Sequence, residues 1–352
     1  MPSPLSDTLA LWYAEHGRDL PWRQPSDSCH GRPEPYHVWL SEIMLQQTTV
    51  RQGMDYYLRF VHRWPSVSAL AEASEDEVLR EWQGLGYYSR ARNLHRAAQQ
   101  IAQRGTFPST YRELRALPGV GDYTAAAIAS IAYGLPHAVV DGNVYRVLSR
   151  YHGIDTPIDT PEGRRLFAAL AQEELDPRDP ARHNQAIMDF GATQCTPHAP
   201  RCESCPLAGA CQALASGSID TLPVKARRTQ VRPLTLHYTL VHTPRGLYLR
   251  QRPQRGIWAR LWELVQSGEC GSVESRELRE SRERKERREE PIGTFHHQLT
   301  HRAITCHATA MAVPEGTQLA GYQHVLWEDL DQYALPRLID TIITQWTDTH
   351  SA

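Results

Sequence analysis

Leu117-Pro118-Gly119-Val120-Gly121-Asp122-Tyr123-Thr124, then an alanine-rich run, then Val139-Val140-Asp141-Gly142-Asn143-Val144: these residues decide how the chain is read. Pro118 stops one helix, and two glycines offer backbone angles closed to other residues. A second helix then starts with its first amides exposed. With no side chain at Gly119 or Gly121, an anionic surface can approach those N–H groups, and the helix dipole favours a phosphate there. Taken alone, such a turn also fits an ordinary link between two helices. Asp141 sits where the next helix begins, which suits an N-cap.

A turn of this kind grips a nucleic-acid backbone without reading bases. Charge gives no independent support, because the formal net charge is -2. Residues 1–212 hold 20 Arg, no Lys and 24 acidic residues, so polyanion binding must come from local placement. At 352 residues the chain has room for two domains. No window approaches the ~20 apolar residues of a membrane span, and Met1 to Arg23 lacks a basic start followed by an apolar run. A soluble cytoplasmic protein is the expectation.

Along the chain, Leu5 to His16 reads as an amphipathic helix ending at Gly17, and Leu20-Pro21-Trp22-Arg23 as a loop carrying an aromatic and a cation. Tyr36 to Trp64 is helical in pattern. Glu42 has Val38, Trp39, Leu45 and Gln46 as its helical neighbours, a mostly apolar setting that makes a carboxyl harder to ionise. A solvated or salt-bridged glutamate is the bland alternative. Gln46, Gln47, Thr48 and Thr49 form a run of neutral donors and acceptors suited to base edges, or simply a polar helix end. Residues 66–104 read as two helices around Gly84-Leu85-Gly86-Tyr87-Tyr88, a turn that offers a wedge for an opened duplex or a packed interhelical link. Ala125 to Gly134 reads as a buried core helix, and His183 to Phe190 as helix leading to the cysteines.

Cys195, Cys202, Cys205 and Cys211 are spaced Cys-x6-Cys-x2-Cys-x5-Cys, while Cys29, Cys270 and Cys306 stand alone. Four clustered thiolates suit a tetrahedral zinc or a cubane iron–sulfur cluster. The long first gap departs from paired zinc knuckles and favours [4Fe–4S].

Taken together, Leu40-Ser41-Glu42-Ile43-Met44-Leu45-Gln46-Gln47-Thr48, Gly84 to Tyr88, Leu117 to Gly121, Val140 to Val144 and the four cysteines resemble the adenine DNA glycosylases of the MutY family, within the endonuclease III-like superfamily. The resemblance covers most of residues 1–212, in the family's order. It implies an all-α helix-hairpin-helix glycosylase core with an iron–sulfur cluster, and a C-terminal α+β Nudix-like domain. The expected boundaries are 1–212 for the core, 213–231 for a linker and 232–352 for the second domain.

The implied activity is excision of adenine mispaired with 8-oxoguanine or guanine in double-stranded DNA, by a monomer associated with the nucleoid. The base must be flipped out of the stack for this chemistry. By position, Glu42 would protonate the adenine, and Asp141 would stay ionised and stabilise an oxocarbenium-like sugar. Tyr123 and Asn143 would support the two carboxylates. Trp22, Arg23 and Gln185 would line the adenine pocket; Leu45, Gln46, Gln47 and Thr48 would face the estranged pair; Tyr87 would be the wedge. Gly119, Val120 and Gly121 would hold the DNA backbone. The cofactor set would be one [4Fe–4S] cluster on Cys195, Cys202, Cys205 and Cys211, with room for a monovalent cation at the hairpin.

Some superfamily members form a Schiff base through a hairpin lysine. Here that position is Tyr123 and residues 1–212 contain no lysine, so a monofunctional enzyme using water is expected.

Beyond the linker, Leu234 to Val241, Gly246 to Arg250 and Ala303 to Val313 alternate as strands do, with helical signals at 274–290 and 336–346. The family's Phe-Ser-His recognition triplet is matched by Leu299-Thr300-His301, which keeps a hydroxyl and a donor and loses the aromatic ring. Gly271, Glu277, Glu286, Glu289 and Glu290 partly echo the catalytic Nudix spacing. Arg287 and Ile292 break it and argue against pyrophosphatase activity. Two rivals stand beside the glycosylase: a superfamily relative acting on another base, and a DNA-binding protein without chemistry.

Overall fold

The computed structural model describes residues 3–226, 230–267 and 289–350. The chain divides into two compact units: Met1–Glu72 with Asn93–Arg228, and Ala73–Arg92 with Thr229–Ala352.

The first unit is helical. Pro4–His16 starts on a Ser3 cap and ends at Gly17. The segment expected as helix from Tyr36 to Trp64 is two helices, Pro35–Met44 and Val50–Arg63. The break has a local cause: Thr49 and Gln52 form a capping box that starts the second helix, and Gln47 takes a left-handed φ of 56°. Gln46, Gln47 and Thr48 therefore lie on a turn between helices.

Asp122–Tyr133 is nearly all buried from Thr124 to Ala132. Its alanines let neighbouring helices approach closely, among them Pro35–Met44 and Pro180–Thr193. Trp39, Leu40, Met44 and Phe60 are fully buried in this core. Gly142–His152 is capped by Asp141, which accepts hydrogen bonds from the backbone N–H of Asn143 and Val144.

Of the segment expected as a linker, residues 213–226 are held by the first unit. Arg150 Nε donates to the carbonyls of Ile219 (3.0 Å) and Leu222 (3.1 Å), and Ala226 N donates to Asp159 Oδ1 at 2.8 Å. Residues 227–229 lie outside the described residues.

The second unit is built on a mixed sheet. Its strands are β1 (Arg232–His242), β2 (Gly246–Gln251), β3 (Trp262–Glu263), β4 (Val265–Gln266), β5 (Glu290–Leu299), β6 (Arg302–Ala312) and β7 (Gln323–Leu326). The order is β3-β2-β1-β6-β5, with β4 paired to β1 and β7 to β2. The parallel β1–β6 pair runs from Arg232↔Arg302 to His242↔Ala312. The core holds Val241, Tyr248, Val265, Met311, Val313 and Leu319, and the helix Arg337–His350 lies against β5.

Of the partial Nudix signature, Gly271, Glu277, Glu286 and Arg287 lie outside the described residues, as does most of the expected helix at 274–290 and Cys270. Glu290 and Ile292 belong to a strand and not a helix. No helix among the described residues is long and apolar enough to cross a membrane.

Candidate active site

A cavity of about 630 Å³ in the first unit brings together Glu42, Tyr123, Asp141 and Asn143. Each comes from a different local device. Glu42 lies in the last turn of Pro35–Met44 and is 9% exposed. Tyr123 lies in the first turn after the hairpin, and Asp141 caps the helix whose second residue is Asn143.

The two carboxyls meet different surroundings. Burial pushes Glu42 up to about 7, against a hydrogen bond from Tyr123 and the charge of Arg23, while the charge of Asp141 adds to the rise. A group with that pKa holds a proton near neutral pH. Asp141 is also raised, by burial, but the rise is held down by the backbone N–H of Val144, the side chain and backbone N–H of Asn143, and the charge of Arg146. Asn143 Nδ2 donates to Asp141 Oδ2 at 2.8 Å, and the N–H groups of Asn143 and Val144 donate to Oδ1 at 2.9 and 2.8 Å. These donors favour the ionised form. Burial, with the negative charge of Asp141 and of Glu42 whenever it is ionised, drives the Tyr123 hydroxyl well above its ordinary value, so it stays a donor.

Trp22, Arg23, Leu45, Gln47 and Thr48 also line the cavity. Gln46 points elsewhere: its Nε2 reaches Gly119 O at 3.4 Å and Thr124 Oγ1 at 3.3 Å, in a groove of about 670 Å³ that also contains Gly119 and Gly121. Gln185 is not among the cavity-lining residues; its Nε2 donates to Ala181 O within its own helix. Val120 is 4% exposed and turns its side chain into the core.

The two hairpin glycines differ. Gly119 has φ +78°, and a Cβ there would stand 2.9 Å from Asn93 Cβ. Gly121 has φ −93°, which any residue adopts, and a Cβ there would meet nothing within 4 Å. Of the two, Gly119 alone is glycine for conformational reasons.

Several cavity residues were not singled out from sequence. Arg18, Arg146 and Met188 line the wall, and Asp189, whose side chain is fully buried, binds both Arg18 and Arg23. Asp189 lay inside a helix that read only as a lead-in to the cysteines, and a buried acid has no local signature.

Arg146 ties this site to the cysteine segment. Its guanidinium donates to Asn143 Oδ1 (2.9 Å), Gly191 O (2.7 Å) and Cys195 O (2.7 Å). Arg150 donates to Thr196 O at 2.7 Å and stands 3.5 Å from Cys195 Sγ. Burial raises the thiols of Cys202 and Cys205, and the negative charges of Cys195 and Cys211 raise both further. Among the described residues, no three or more His, Cys, Asp or Glu side chains converge to hold a single metal ion.

In the second unit, a cavity of about 690 Å³ holds Tyr87, Leu299, Thr300 and His301, with Trp258 and His297 on its wall. Thr300 and His301 form the turn between β5 and β6. Tyr87 has φ 50° and is 44% exposed, and its hydroxyl lies 2.5 Å from Thr300 Oγ1.

The helical unit with its glycine hairpin belongs to the helix-hairpin-helix class of base excision DNA repair proteins. Residues 40–172 match the HhH-GPD superfamily base excision DNA repair protein model, and residues 237–345 match the NUDIX domain. The adenine DNA glycosylase of Mus musculus is 33% identical over 97% of this chain and 77% of that protein. The one from Buchnera aphidicola subsp. Baizongia pistaciae is 30% identical over 96% of this chain and 95% of that protein. The human adenine DNA glycosylase is 39% identical over 73% of this chain, which spans only 56% of it.

Among solved structures, a thermostable thymine-DNA glycosylase aligns with TM-score 0.54 and 27% identity, over 60% of this chain and 95% of that one. A non-covalent endonuclease III–DNA complex aligns at TM-score 0.50 and 22% identity, over 60% and 94%, and shares the fold. The chain belongs to the adenine DNA glycosylase family.

Proposed function

We propose that this chain excises adenine opposite 8-oxoguanine or guanine in duplex DNA as a monofunctional, monomeric glycosylase. The observation that carries the reading is the single cavity shared by Glu42, whose pKa burial raises to about 7, and Asp141, which accepts three hydrogen bonds. Adenine flipped into the cavity takes the Glu42 proton at N7. The electron pair of the glycosidic bond then goes to the base, and Asp141 stabilises the positive charge that develops on the sugar. Water adds to C1′, losing a proton, and leaves an abasic site. Among the titratable side chains lining the cavity there is no lysine to replace that water with an amine.

The hairpin amides at Gly119 to Gly121 hold the phosphate backbone, and carbonyls of the same turn are the place for a monovalent cation. Gln47 and Tyr87 both hold left-handed backbone angles with non-glycine side chains. That cost suits residues inserted at an opened base pair. Thr300 and His301 read the base opposite adenine.

Cys195, Cys202, Cys205 and Cys211 suit a [4Fe–4S] cluster by donor chemistry: four thiols close together in sequence, on a segment pinned by Arg146 and Arg150. The cluster would supply a cross-link that holds this loop.

Single-turnover assays on an A:8-oxoG duplex, with alkali to reveal abasic sites, test the reading. Wild type should give alkali-dependent cleavage, Glu42→Gln almost none, and borohydride should trap no adduct. Undiminished activity in Glu42→Gln would remove Glu42 as the acid. A DNA-binding protein without chemistry would give no cleavage at all, and a relative acting on another base would cleave only a different mispair.

A further inference from the structure

Asp189 is a buried carboxylate against the catalytic cavity, and the mechanism above leaves it without a task. Its side chain is fully buried, and both oxygens are saturated by two arginines. Oδ1 accepts from Arg18 Nε at 2.9 Å, Arg18 Nη2 at 2.5 Å and Arg23 Nη2 at 2.9 Å. Oδ2 accepts from the Arg18 backbone N–H at 2.9 Å and from Arg23 Nη1 at 2.8 Å. Arg23 Nη1 also reaches Arg18 O and Tyr13 Oη, each at 3.3 Å. Both arginines line the cavity that contains Glu42.

We propose that Asp189 is a positioning residue: it fixes Arg18 and Arg23 side by side on the cavity wall and offsets their positive charge, so that Glu42 keeps its proton. The inference rests on the role proposed for Glu42.

The physical basis is a balance of charges. Glu42 is faced by Arg23 from the Pro21–Arg23 turn, by Tyr123 from the hairpin and by Asp141 from the helix cap, while Arg18, Arg51 and Arg146 complete the charged wall. Arg23 favours the ionised form of Glu42, and Asp141 opposes it. Remove the negative charge at Asp189 and two arginines remain with no buried counter-charge of their own. A nearby unpaired cation favours a carboxylate over a carboxylic acid, so Glu42 would lose its proton at lower pH.

Burial would by itself raise Asp189, but the hydrogen bonds from Arg23 and Arg18 outweigh it and hold the group ionised. Asp189 is therefore a constant negative charge across the working pH range. The rigid five-bond arrangement also spares both guanidinium groups from being ordered anew each time a base enters.

The test is the pH dependence of single-turnover adenine release by wild type, Asp189→Asn and Arg23→Gln, each as the full chain. Asp189→Asn keeps the size and one of the two acceptor oxygens, but lacks the charge. Its alkaline midpoint should fall by about half a pH unit or more, and that of Arg23→Gln should rise. A residue that merely supports the fold would lower the rate at every pH without moving the midpoint, and equal midpoints in all three proteins would overturn the proposal.

A second readout does not depend on catalysis: the carboxyl ¹³C shift of Glu42, titrated by NMR in the same three proteins. If wild type released no adenine, the proposed function would fail, while the Glu42 titration would still uphold or overturn the charge balance. If Asp189→Asn did not fold, the rise in Arg23→Gln would decide, and its absence would count against the proposal.

Discussion

Asn143 Nδ2 stands 2.8 Å from Asp141 Oδ2, and the same asparagine accepts from Arg146 Nη2 at 2.9 Å. Asp141 is thereby held from its side by a residue that is itself held, while its other oxygen caps the helix. Asn143→Ala removes the lateral donor and leaves the two backbone N–H groups in place. A hydrogen bond to a charged group contributes about 1.5–3 kcal/mol, so the single-turnover rate should fall roughly 10- to 100-fold with little change in thermal unfolding. A rate equal to wild type would show that the backbone amides alone orient Asp141.

The two roles of Asp141 can be pulled apart. Asn caps helices about as well as Asp, so Asp141→Asn should unfold near the wild-type temperature yet lose at least about 100-fold in rate, as removal of a transition-state charge partner does. Asp141→Ala should lose activity and in addition about 1 kcal/mol of stability. Calorimetry of both variants beside single-turnover kinetics checks the pair.

Glu42 links activity and stability to pH in the same direction. With its pKa raised from the ordinary 4.5 to about 7, adenine release should be fast below neutrality and fall as pH rises through about 7. Because the folded value lies above the unfolded one, the stability linked to this group is fully present below the unfolded pKa and is lost as pH rises through the folded one. Denaturant midpoints measured from pH 5 to pH 8 should fall in wild type, and that component should be missing in Glu42→Gln.

The hairpin glycines should respond differently to alanine. Gly119→Ala places a Cβ at φ +78° and 2.9 Å from Asn93 Cβ, so about 1–2 kcal/mol of stability should be lost. Gly121→Ala meets open space and should leave the unfolding temperature unchanged while weakening duplex binding. Thermal unfolding and affinity for an undamaged duplex read the two effects separately.

If the cysteine quartet holds a cubane cluster, purified protein should contain about four irons per chain and absorb in the visible. Cys202→Ser should lose most of both and become less stable. One zinc per chain and no colour would replace the cluster with a single-metal knuckle.

Much of the candidate site was legible in residue order because its caps and turns are local. Asp141 announced itself as a cap two residues before Asn143, Glu42 as an acid among Val38, Trp39 and Leu45, and the hairpin as Pro118 with Gly119. The strands with clear alternation, such as Arg232–His242 and Arg302–Ala312, were legible for the same reason. The short pieces Trp262–Glu263 and Val265–Gln266 were not, since strands of two residues have no period to show.

Tertiary structure alone decided what depends on meeting across the chain. That Glu42 and Asp141, 99 positions apart in the sequence, share one cavity, and that Asp189 comes to rest between Arg18 and Arg23, are products of helix packing. So is the parting of Gln46 from Gln47, which the backbone turn sends into different clefts. Residue order determines which groups exist and which local caps and turns they form. Burial and distance, which set the charge each group carries, arise only once the helices are packed.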